Sequence, residues 1–305
     1  MKAVATVGAG RHGRRGGVAS VAIVGEDGWM TAPVYALRDG HSIPAIGLGT
    51  YGLDDQAGIT AITAGIDEGY RLIDTAYNYG NEEAVGEAIR RSAVDRSDLM
   101  ITTKLPGRHH GFDETLASFE QSRARLDLDW VDLYLIHWPN PRIDKYLDSW
   151  RAMIKLLERG VVRSIGVSNF TAPMIERLIA ETGVVPVVNQ VELHPYFPQG
   201  ELRTFHAGQG IRTESWSPLA KRTELLAETV VERLAAGLGV TPAQLVLRWH
   251  VELGAVPIPK SADAARRRQN LDVFEFSLAP EHVEAISSLE RGRLWGGDPD
   301  VHEEL

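Results

Sequence analysis

An alternation of short apolar segments with longer amphipathic ones, repeated eight times, constrains the fold of this chain more than any other feature. Each short segment is nearly continuous in apolar residues, which predicts a strand that is buried on both faces. The predicted strands are 46–49, 71–76, 99–105, 131–138, 164–168, 187–193, 212–216 and 255–259. Parallel strands with a helix after each one have this pattern, and eight of them predict a closed (β/α)8 barrel, the TIM-barrel architecture.

The longer segments carry apolar residues three or four positions apart, which predicts helices with one buried face. In the first of these segments, Ile59, Ile62 and Ile66 fall on that face. The predicted helices are 56–68, 82–92, 113–126, 145–158, 173–181, 201–208, 225–237, 242–252, 264–271 and 280–290. Segments 35–37 and 42–43, on either side of Asp39 and Gly40, predict a small N-terminal β-hairpin. We therefore expect an α/β protein in which residues 34–305 form one barrel domain.

The main alternative fold is a doubly wound open sheet. That fold would carry a Gly-rich phosphate-binding turn after its first strand, and residues 47–52 match such a turn poorly. Residues 1–29 differ from the rest, since they are Gly-rich and have no acidic residue before Glu26. They match a dinucleotide fingerprint and an export signal only weakly, so we expect a disordered extension.

Composition excludes several classes of function. The 305 residues include no cysteine, which excludes disulfides, Cys-ligated metals and thiol nucleophiles. The net charge of −9 argues against a nucleic-acid partner. No apolar run approaches the ~20 residues of a membrane-spanning helix. We expect a cytoplasmic monomer that acts on a small molecule and has no metal, nucleic-acid or membrane partner.

Polar residues recur at one end of the predicted strands. They lie at or just past the carboxyl ends, which form the rim where barrel enzymes build their active sites. These residues are Thr50, Asp74, Lys104, His137, Ser168, Asn169, Gln190, Ser217 and Lys260. The pattern predicts an active site at this rim.

Four ionisable side chains follow strands two to four, which are neighbours in a barrel: Asp74, Tyr79, Lys104 and His137. A free phenol titrates near ~10, so it needs a nearby cation to act at neutral pH. Lys104 can supply the cation, Asp74 can hold Lys104, and an imidazole can orient a carbonyl oxygen. The alternatives without a catalytic role are that Lys104 is exposed to solvent and that His137 is a buried core residue. Tyr77 is a competing phenol.

The motifs that carry these residues resemble those of the aldo-keto reductase family, from about residue 34 to about residue 290. The matching segments are 46–50, 74–82, 101–105, 132–139, 164–170, 189–195, 217–219 and 258–261, with Arg266 and Asn270. Each motif is weak alone, but eight in the family's order are specific.

The resemblance implies that NADPH binds across the barrel mouth as the reductant. It implies that Tyr79 is the general acid, that Lys104 and Asp74 tune it, and that His137 orients the carbonyl. The cofactor-binding residues that it implies are Thr50, Tyr51, Asp74, Ser168, Asn169, Gln190, Trp216, Ser217, Pro218, Leu219, Lys260, Ser261, Arg266 and Asn270. Among these, Trp216 would stack on the nicotinamide, and Lys260, Ser261 and Arg266 would bind the 2′-phosphate.

Charge supports the phosphate site independently. In a chain of net charge −9, residues 260–268 carry one lysine and three arginines against one acid. Arginine binds phosphate in bidentate geometry. An exposed helix face accounts for some of these arginines, and of the three we expect only Arg266 to contact the phosphate.

The sequence departs from the family in three places. Trp216 stands where many members have Tyr, and Gln269 where many have Glu. The tail after Arg291 is short and polar, which predicts a reduced pocket wall, as in the bacterial short-tailed members that resemble 2,5-diketo-D-gluconate reductase. The expected substrate-binding residues of this open pocket are Tyr51, Phe112, His137 and Trp138, together with Trp295.

The expected function is NADPH-dependent reduction of aldehydes or ketones to alcohols. One alternative is a non-catalytic relative that senses nucleotides, and the intact group of four ionisable residues counts against it. Another is a phosphosugar isomerase or lyase on the same barrel, which would bind substrate phosphate at the rim of strands seven and eight.

Overall fold

A parallel sheet forms the centre of the protein in the computed structural model, which describes residues 32–295 and 297–304. In the described part of the chain, the sheet has eight strands in sequential order. They are β3 Leu48–Gly49, β4 Leu72–Asp74, β5 Met100–Leu105, β6 Val131–Ile136, β7 Val162–Ser168, β8 Val188–Glu192, β9 Arg212–Trp216 and β10 Val256–Pro257. The expected extension of residues 1–29 lies outside the described residues.

The sheet closes on itself. The backbone N–H of Gly47 donates to the carbonyl oxygen of Pro257 at 3.0 Å, and the N–H of Gly49 donates to that of Pro259 at 3.0 Å. These two hydrogen bonds join the first barrel strand to the last. The predicted (β/α)8 barrel is therefore confirmed.

Helices connect the strands and cover the outside of the barrel. They are α1 Gln56–Asp67, α2 Glu82–Arg91, α3 Phe112–Leu126, α4 Tyr146–Glu158, α5 Ala172–Thr182, α6 Gly200–Gln209, α7 Thr229–Leu238, α8 Pro242–Glu252, α9 Ala264–Leu271 and α10 Pro280–Ser287. Asp55 begins α1 by accepting a hydrogen bond from the Gly58 N–H at 2.7 Å. Ile62 and Ile66 of α1 are fully buried against the barrel, as the apolar spacing predicts. Within residues 32–295 and 297–304 no single helix is long and apolar enough to cross a membrane, and α7 with α8 passes that test only as a pair bent by 91°.

The predicted hairpin is also present, with β1 Val34–Ala36 antiparallel to β2 Ser42–Pro44. Its Tyr35 and Ile43 side chains are buried against Leu72, Leu133 and Val256, which begin or lie early in their strands. The hairpin therefore covers the amino ends of the barrel strands. The carboxyl ends remain available for a site.

Candidate active site

A buried ion pair lies at the carboxyl end of β4 and β5. The parallel register pairs Asp74 with Thr102, and Lys104 follows two residues later on the same side of β5. The Lys104 ammonium donates to the Asp74 carboxylate at 2.7 Å and to the Thr75 carbonyl oxygen at 2.8 Å. Burial is the largest single influence on Lys104 and would lower its pKa, but the charge of Asp74, with further contributions from Tyr79, the Asp74 hydrogen bond and Glu214, outweighs burial, and the pKa is raised. Lys104 therefore stays cationic, and the exposed-lysine alternative is wrong.

The Tyr79 phenol points at this ion pair. Residues Tyr77–Tyr79 form a 3-10 turn directly after β4, which brings the Tyr79 hydroxyl to 3.5 Å from the Lys104 ammonium. Burial raises the pKa of Tyr79 above its ordinary value of 10.0, Lys104 opposes this rise, and Asp74 reinforces it. The phenol consequently keeps its proton at neutral pH. Lys104 lowers the pKa of Tyr79, as the sequence analysis expected, but burial raises this pKa by more.

The competing phenol faces elsewhere. The Tyr77 hydroxyl donates to the Gln121 side chain at 2.9 Å. Its ring lies 5.0 Å from the Arg108 guanidinium and 4.1 Å from that of Arg125. Tyr77 therefore packs among arginines outside the ion pair.

His137 completes the group. It directly follows β6, and its ring centre lies 5.9 Å from that of Tyr79 in an edge-to-face arrangement. The Asn169 amide donates to the His137 carbonyl oxygen at 3.0 Å. All four ionisable residues of the sequence prediction thus meet at one mouth of the barrel.

A further carboxyl group, which the sequence analysis missed, lies beneath them. Gln190 donates to Asp74 at 2.8 Å and to Glu214 of β9 at 3.1 Å, so that it bridges two carboxyl groups. Burial raises the pKa of Glu214 to about 8, with a smaller contribution from the Asp74 charge. Glu214 is therefore mostly protonated at neutral pH. The sequence signal that could have indicated this residue is the position of Glu214, an acid in the middle of a predicted buried strand.

Side chains next to Gln190 form a hydrogen-bonded chain along the rim. Ser168 donates to the Gln190 carbonyl oxygen at 2.8 Å, and the Asn169 amide donates to the Ser168 hydroxyl at 3.1 Å. The Trp216 indole N–H then donates to the Asn169 side-chain oxygen at 2.8 Å. The structure thus brings these four sequence-predicted residues together. The Trp295 ring centre lies 5.7 Å from that of Trp216.

Predicted residues near strand one surround the same mouth. The Thr50 hydroxyl donates to the Asp74 carbonyl oxygen at 2.9 Å. The Tyr51 ring is 61% exposed and lies 5.1 Å from the Tyr79 ring. Asn81, which occupies the N-cap position of α2, makes no capping bond with its side chain. Its amide instead donates to the Thr50 and Leu53 carbonyl oxygens and so holds the loop after β3.

The loop after β9 holds three more predicted residues. Ser217 has a positive φ of 49°, the Pro218 carbonyl oxygen lies 3.0 Å from the His250 Nε2, and Leu219 is half-buried. The backbone therefore turns sharply at the end of this strand.

The basic segment after β10 divides into buried and exposed cations. Arg267 is buried and binds Glu68 at 2.8 Å, and Arg268 lies 3.4 Å from the same carboxylate. Arg266 is 74% exposed and makes only a loose ion pair, at 3.8 Å, with Asp263. The other predicted residues differ in exposure: Lys260 is exposed, Ser261 is buried, and Asn270 is buried beside the Tyr70 hydroxyl. The geometry leaves Arg266 and Lys260 accessible to an anion.

The C-terminal tail differs from the expected open pocket. The His302 ring lies 4.2 Å from the Trp138 ring, and a Glu304 carboxylate oxygen lies 2.7 Å from the His137 Nδ1. The short tail therefore crosses the mouth beside His137 and Trp138 and forms a wall there, because its polar residues find partners in the loops after β5 and β6. Phe112 is 42% exposed at the first residue of α3.

Fold and site together define a barrel enzyme that places a phenol, an ammonium group, a carboxylate and an imidazole around one mouth. The aldo/keto reductase family model matches residues 45–291. The chain is 60% identical to the 2,5-diketo-D-gluconic acid reductase B of Corynebacterium sp. (strain SHS752001), over 90% of this chain and 99% of that protein. It is 44% identical to the methylglyoxal reductase DkgA of Escherichia coli (strain K12), over 88% and 97% of the two chains.

Solved structures agree with this assignment. The crystal structure of a Gox0644 mutant in complex with NADPH matches with a TM-score of 0.84 and 42% identity, over 88% of this chain and 98% of that one. The chain belongs to the aldo/keto reductase family. It is an NADP-dependent oxidoreductase that reduces carbonyl groups. The residues present fit NADPH, because exposed cations flank the end of β10 in an otherwise acidic chain.

Proposed function

We propose that Tyr79 is the general acid of this carbonyl reduction. The observation that carries the proposal is the position of its phenol, 3.5 Å from a fully buried ammonium group that is held by a carboxylate. NADPH supplies a hydride to the carbonyl carbon when it is bound. As negative charge develops on the carbonyl oxygen, Tyr79 gives that oxygen its proton.

Lys104 and Asp74 act on Tyr79 and do not touch the substrate. The Lys104 cation stabilises the phenolate that remains after proton transfer, because opposite charges interact strongly at a buried site. Asp74 keeps Lys104 charged and fixes its direction. Removing either partner would leave a buried charge unpaired, which typically costs about 3–5 kcal/mol.

His137 donates a hydrogen bond to the carbonyl oxygen from the side opposite Lys104, and so orients the substrate. Tyr51, Trp138 and Phe112 line the approach to this oxygen. We propose small aldehydes and ketones as substrates. The names of the two curated relatives motivate a screen that includes keto-sugar acids and methylglyoxal.

The cofactor would lie along the rim from β7 to β10. Ser168, Asn169 and Gln190 would hold the carboxamide, and the half-buried Trp216 ring would stack on the nicotinamide. The backbone turn at 217–219 would bind the pyrophosphate, with Thr50 and Tyr51 in the loop after β3, two strands further around the closed barrel. Lys260, Ser261 and Arg266 would bind the 2′-phosphate, and Asn270 would lie near the adenine.

Tyr79→Phe tests the proposal, with Tyr77→Phe as the matched control from the same turn. We expect Tyr79→Phe to lose about 10²–10⁴-fold in kcat with an activated aldehyde, because the proton donor is gone. Tyr77→Phe should keep its activity, since that phenol binds Gln121. Turnover is followed by NADPH absorbance, and NADPH binding by protein fluorescence.

Retained turnover in Tyr79→Phe would remove this residue from the mechanism. A wild-type protein that binds NADPH but reduces none of a broad set of aldehydes, α-keto acids and keto-sugars would favour the nucleotide-sensing alternative.

We also propose that the protein acts as a cytoplasmic monomer without nucleic-acid or membrane partners. The net charge of −9 argues against a nucleic-acid partner, and a chain without cysteine is compatible with a reducing cytoplasm. Light scattering behind a sizing column should give 33.5 kDa, and twice that mass would contradict the monomer.

A further inference from the structure

The last residues of the chain return to the catalytic group. The Asn140 amide donates to the Glu304 carbonyl oxygen at 2.7 Å, and the Glu304 N–H donates to the Asn140 side-chain oxygen at 3.0 Å. The neighbouring Glu303 carboxylate accepts a hydrogen bond from the Arg142 N–H at 2.6 Å. The tail is thus held at both its backbone and its side chains.

The Glu304 carboxylate has three donors around it. One oxygen accepts from the Asn78 amide at 2.7 Å and lies 2.7 Å from the His137 Nδ1, and the other accepts from the Gly107 N–H at 3.0 Å. The His137 Nδ1 lies within ion-pair distance of the Glu304 carboxylate, but the angle at Nδ1 is not that of a hydrogen bond. Both side chains are largely buried, with 14% of His137 and 12% of Glu304 exposed.

The loop after β5 is shaped for this carboxylate. A Cβ on Gly107 would collide with the Asn140 amide and with the Glu304 carbonyl oxygen. Only glycine therefore allows the backbone N–H at this position to approach the tail. The loop after β5 and the C-terminal tail are therefore complementary in shape at Gly107.

An imidazole has two tautomers, and its neighbours decide which one is populated. An ionised carboxylate only accepts hydrogen bonds, so a carboxylate at Nδ1 requires the proton to be on Nδ1. Burial by itself would raise the pKa of Glu304, but the close contact with His137 and the hydrogen bonds from Asn78 and Gly107 together outweigh burial and lower it. Glu304 is therefore ionised at neutral pH.

We propose that Glu304 is a positioning residue for His137, which fixes the Nδ1–H tautomer and the ring orientation from the penultimate position of the chain. The inference rests on the proposed role of His137 in orienting the carbonyl. Because the two ring nitrogens point in divergent directions, holding Nδ1 directs Nε2 away from the tail. Loss of a carboxylate that orients a metal-bound imidazole typically costs about 10–100-fold in activity, and we expect an effect of the same order for an imidazole that orients a carbonyl.

Other charged and titratable groups face the same place from other elements. The Glu304 charge acts on Tyr79 in the turn after β4 and on the buried His110 in the loop after β5. Burial lowers the pKa of His110 to about 4, so His110 is neutral at the pH of the assay. Arg108 donates to the Asn78 side-chain oxygen at 2.5 Å. Among these neighbours, His137 is therefore the side chain whose tautomer depends on the Glu304 carboxylate.

The experiment compares Glu304→Gln with Glu303→Gln in the full-length protein. A glutamine at 304 has nearly the same shape, but its single side-chain oxygen can accept from Asn78 or from Gly107 and not from both, and its amide no longer forces the proton onto Nδ1. We expect kcat with an activated aldehyde to fall about 10-fold or more, with KM and NADPH affinity unchanged. Glu303→Gln should behave like the wild type.

The tautomer is read directly by ¹⁵N NMR of labelled histidine, with the His137 signals assigned by comparison with His137→Asn. The wild-type protein should show a protonated Nδ1, and Glu304→Gln should shift both ring nitrogens. Unchanged nitrogen shifts in Glu304→Gln would overturn the proposal, as would an equal loss of kcat in Glu303→Gln or a loss confined to KM. The NMR measurement needs no turnover, so it separates this inference from the proposed function, which fails if Tyr79→Phe remains active.

Discussion

Replacing Glu214 with glutamine should make the protein's stability less dependent on pH. Glu214 is fully buried on β9, one of its oxygens accepts from Gln190 at 3.1 Å, and the other has no hydrogen-bond partner among the described residues. Burial raises its pKa from 4.5 to about 8. Glutamine has nearly the same shape and cannot ionise, so the substitution removes the titration and keeps the packing.

The expected magnitude follows from the size of this pKa difference. About 8 minus 4.5 is roughly 3.5 pH units, and each unit corresponds to about 1.36 kcal/mol, so the total is on the order of 5 kcal/mol. Between these two pH values the folded state holds a proton that the unfolded state has released. Stability therefore falls as pH rises through this window, and the full cost is present above about pH 8.

Urea unfolding of both proteins at several pH values between about 5 and about 8 measures the difference. The free energy of unfolding of Glu214→Gln should rise relative to that of the wild type by about 1.4 kcal/mol for each pH unit. Parallel curves for the two proteins would refute the reasoning, because they would mean that Glu214 does not take up a proton on folding.

Two further substitutions test the cofactor site and the packing. Arg266→Ala should weaken NADPH binding by about 1.5–3 kcal/mol and leave NADH binding nearly unchanged, whereas Arg268→Ala, which loses a contact with Glu68, should affect both equally in fluorescence titrations. Equal weakening of NADPH and NADH by Arg266→Ala would place the phosphate site elsewhere. Gly86→Ala should cost about 1–3 kcal/mol in urea unfolding, because its Cβ would collide with the carbonyl oxygen of the last residue of α3, whereas Gly208→Ala on α6 has open space and should not destabilise. An unaffected Gly86→Ala would contradict the close approach of α2 and α3.

Much of the architecture is encoded locally. Apolar runs and helical spacing each extend over only a few residues, and they predicted the order of the strands, the hairpin and most helix ends to within one or two residues. The rim followed from the same pattern, since residues at the carboxyl ends of parallel strands must share one mouth. The approach of Asp74 to Lys104 was therefore predictable from the sequence.

Other features depended on how distant parts of the chain meet. Residue type and local pattern do not distinguish Tyr77 from Tyr79, and only the family resemblance selected Tyr79 from the sequence. In the structure, the 3-10 turn after β4 directs Tyr79 towards Lys104, whereas Tyr77 packs among arginines. The protonation of Glu214 depends on the carboxyl and amide groups that surround it inside the barrel. Glu304 meets Gly107, 197 residues away, through the path of the tail. Periodicity describes neighbours along the chain, whereas burial, electrostatic environment and long-range contact arise only when the folded chain excludes water.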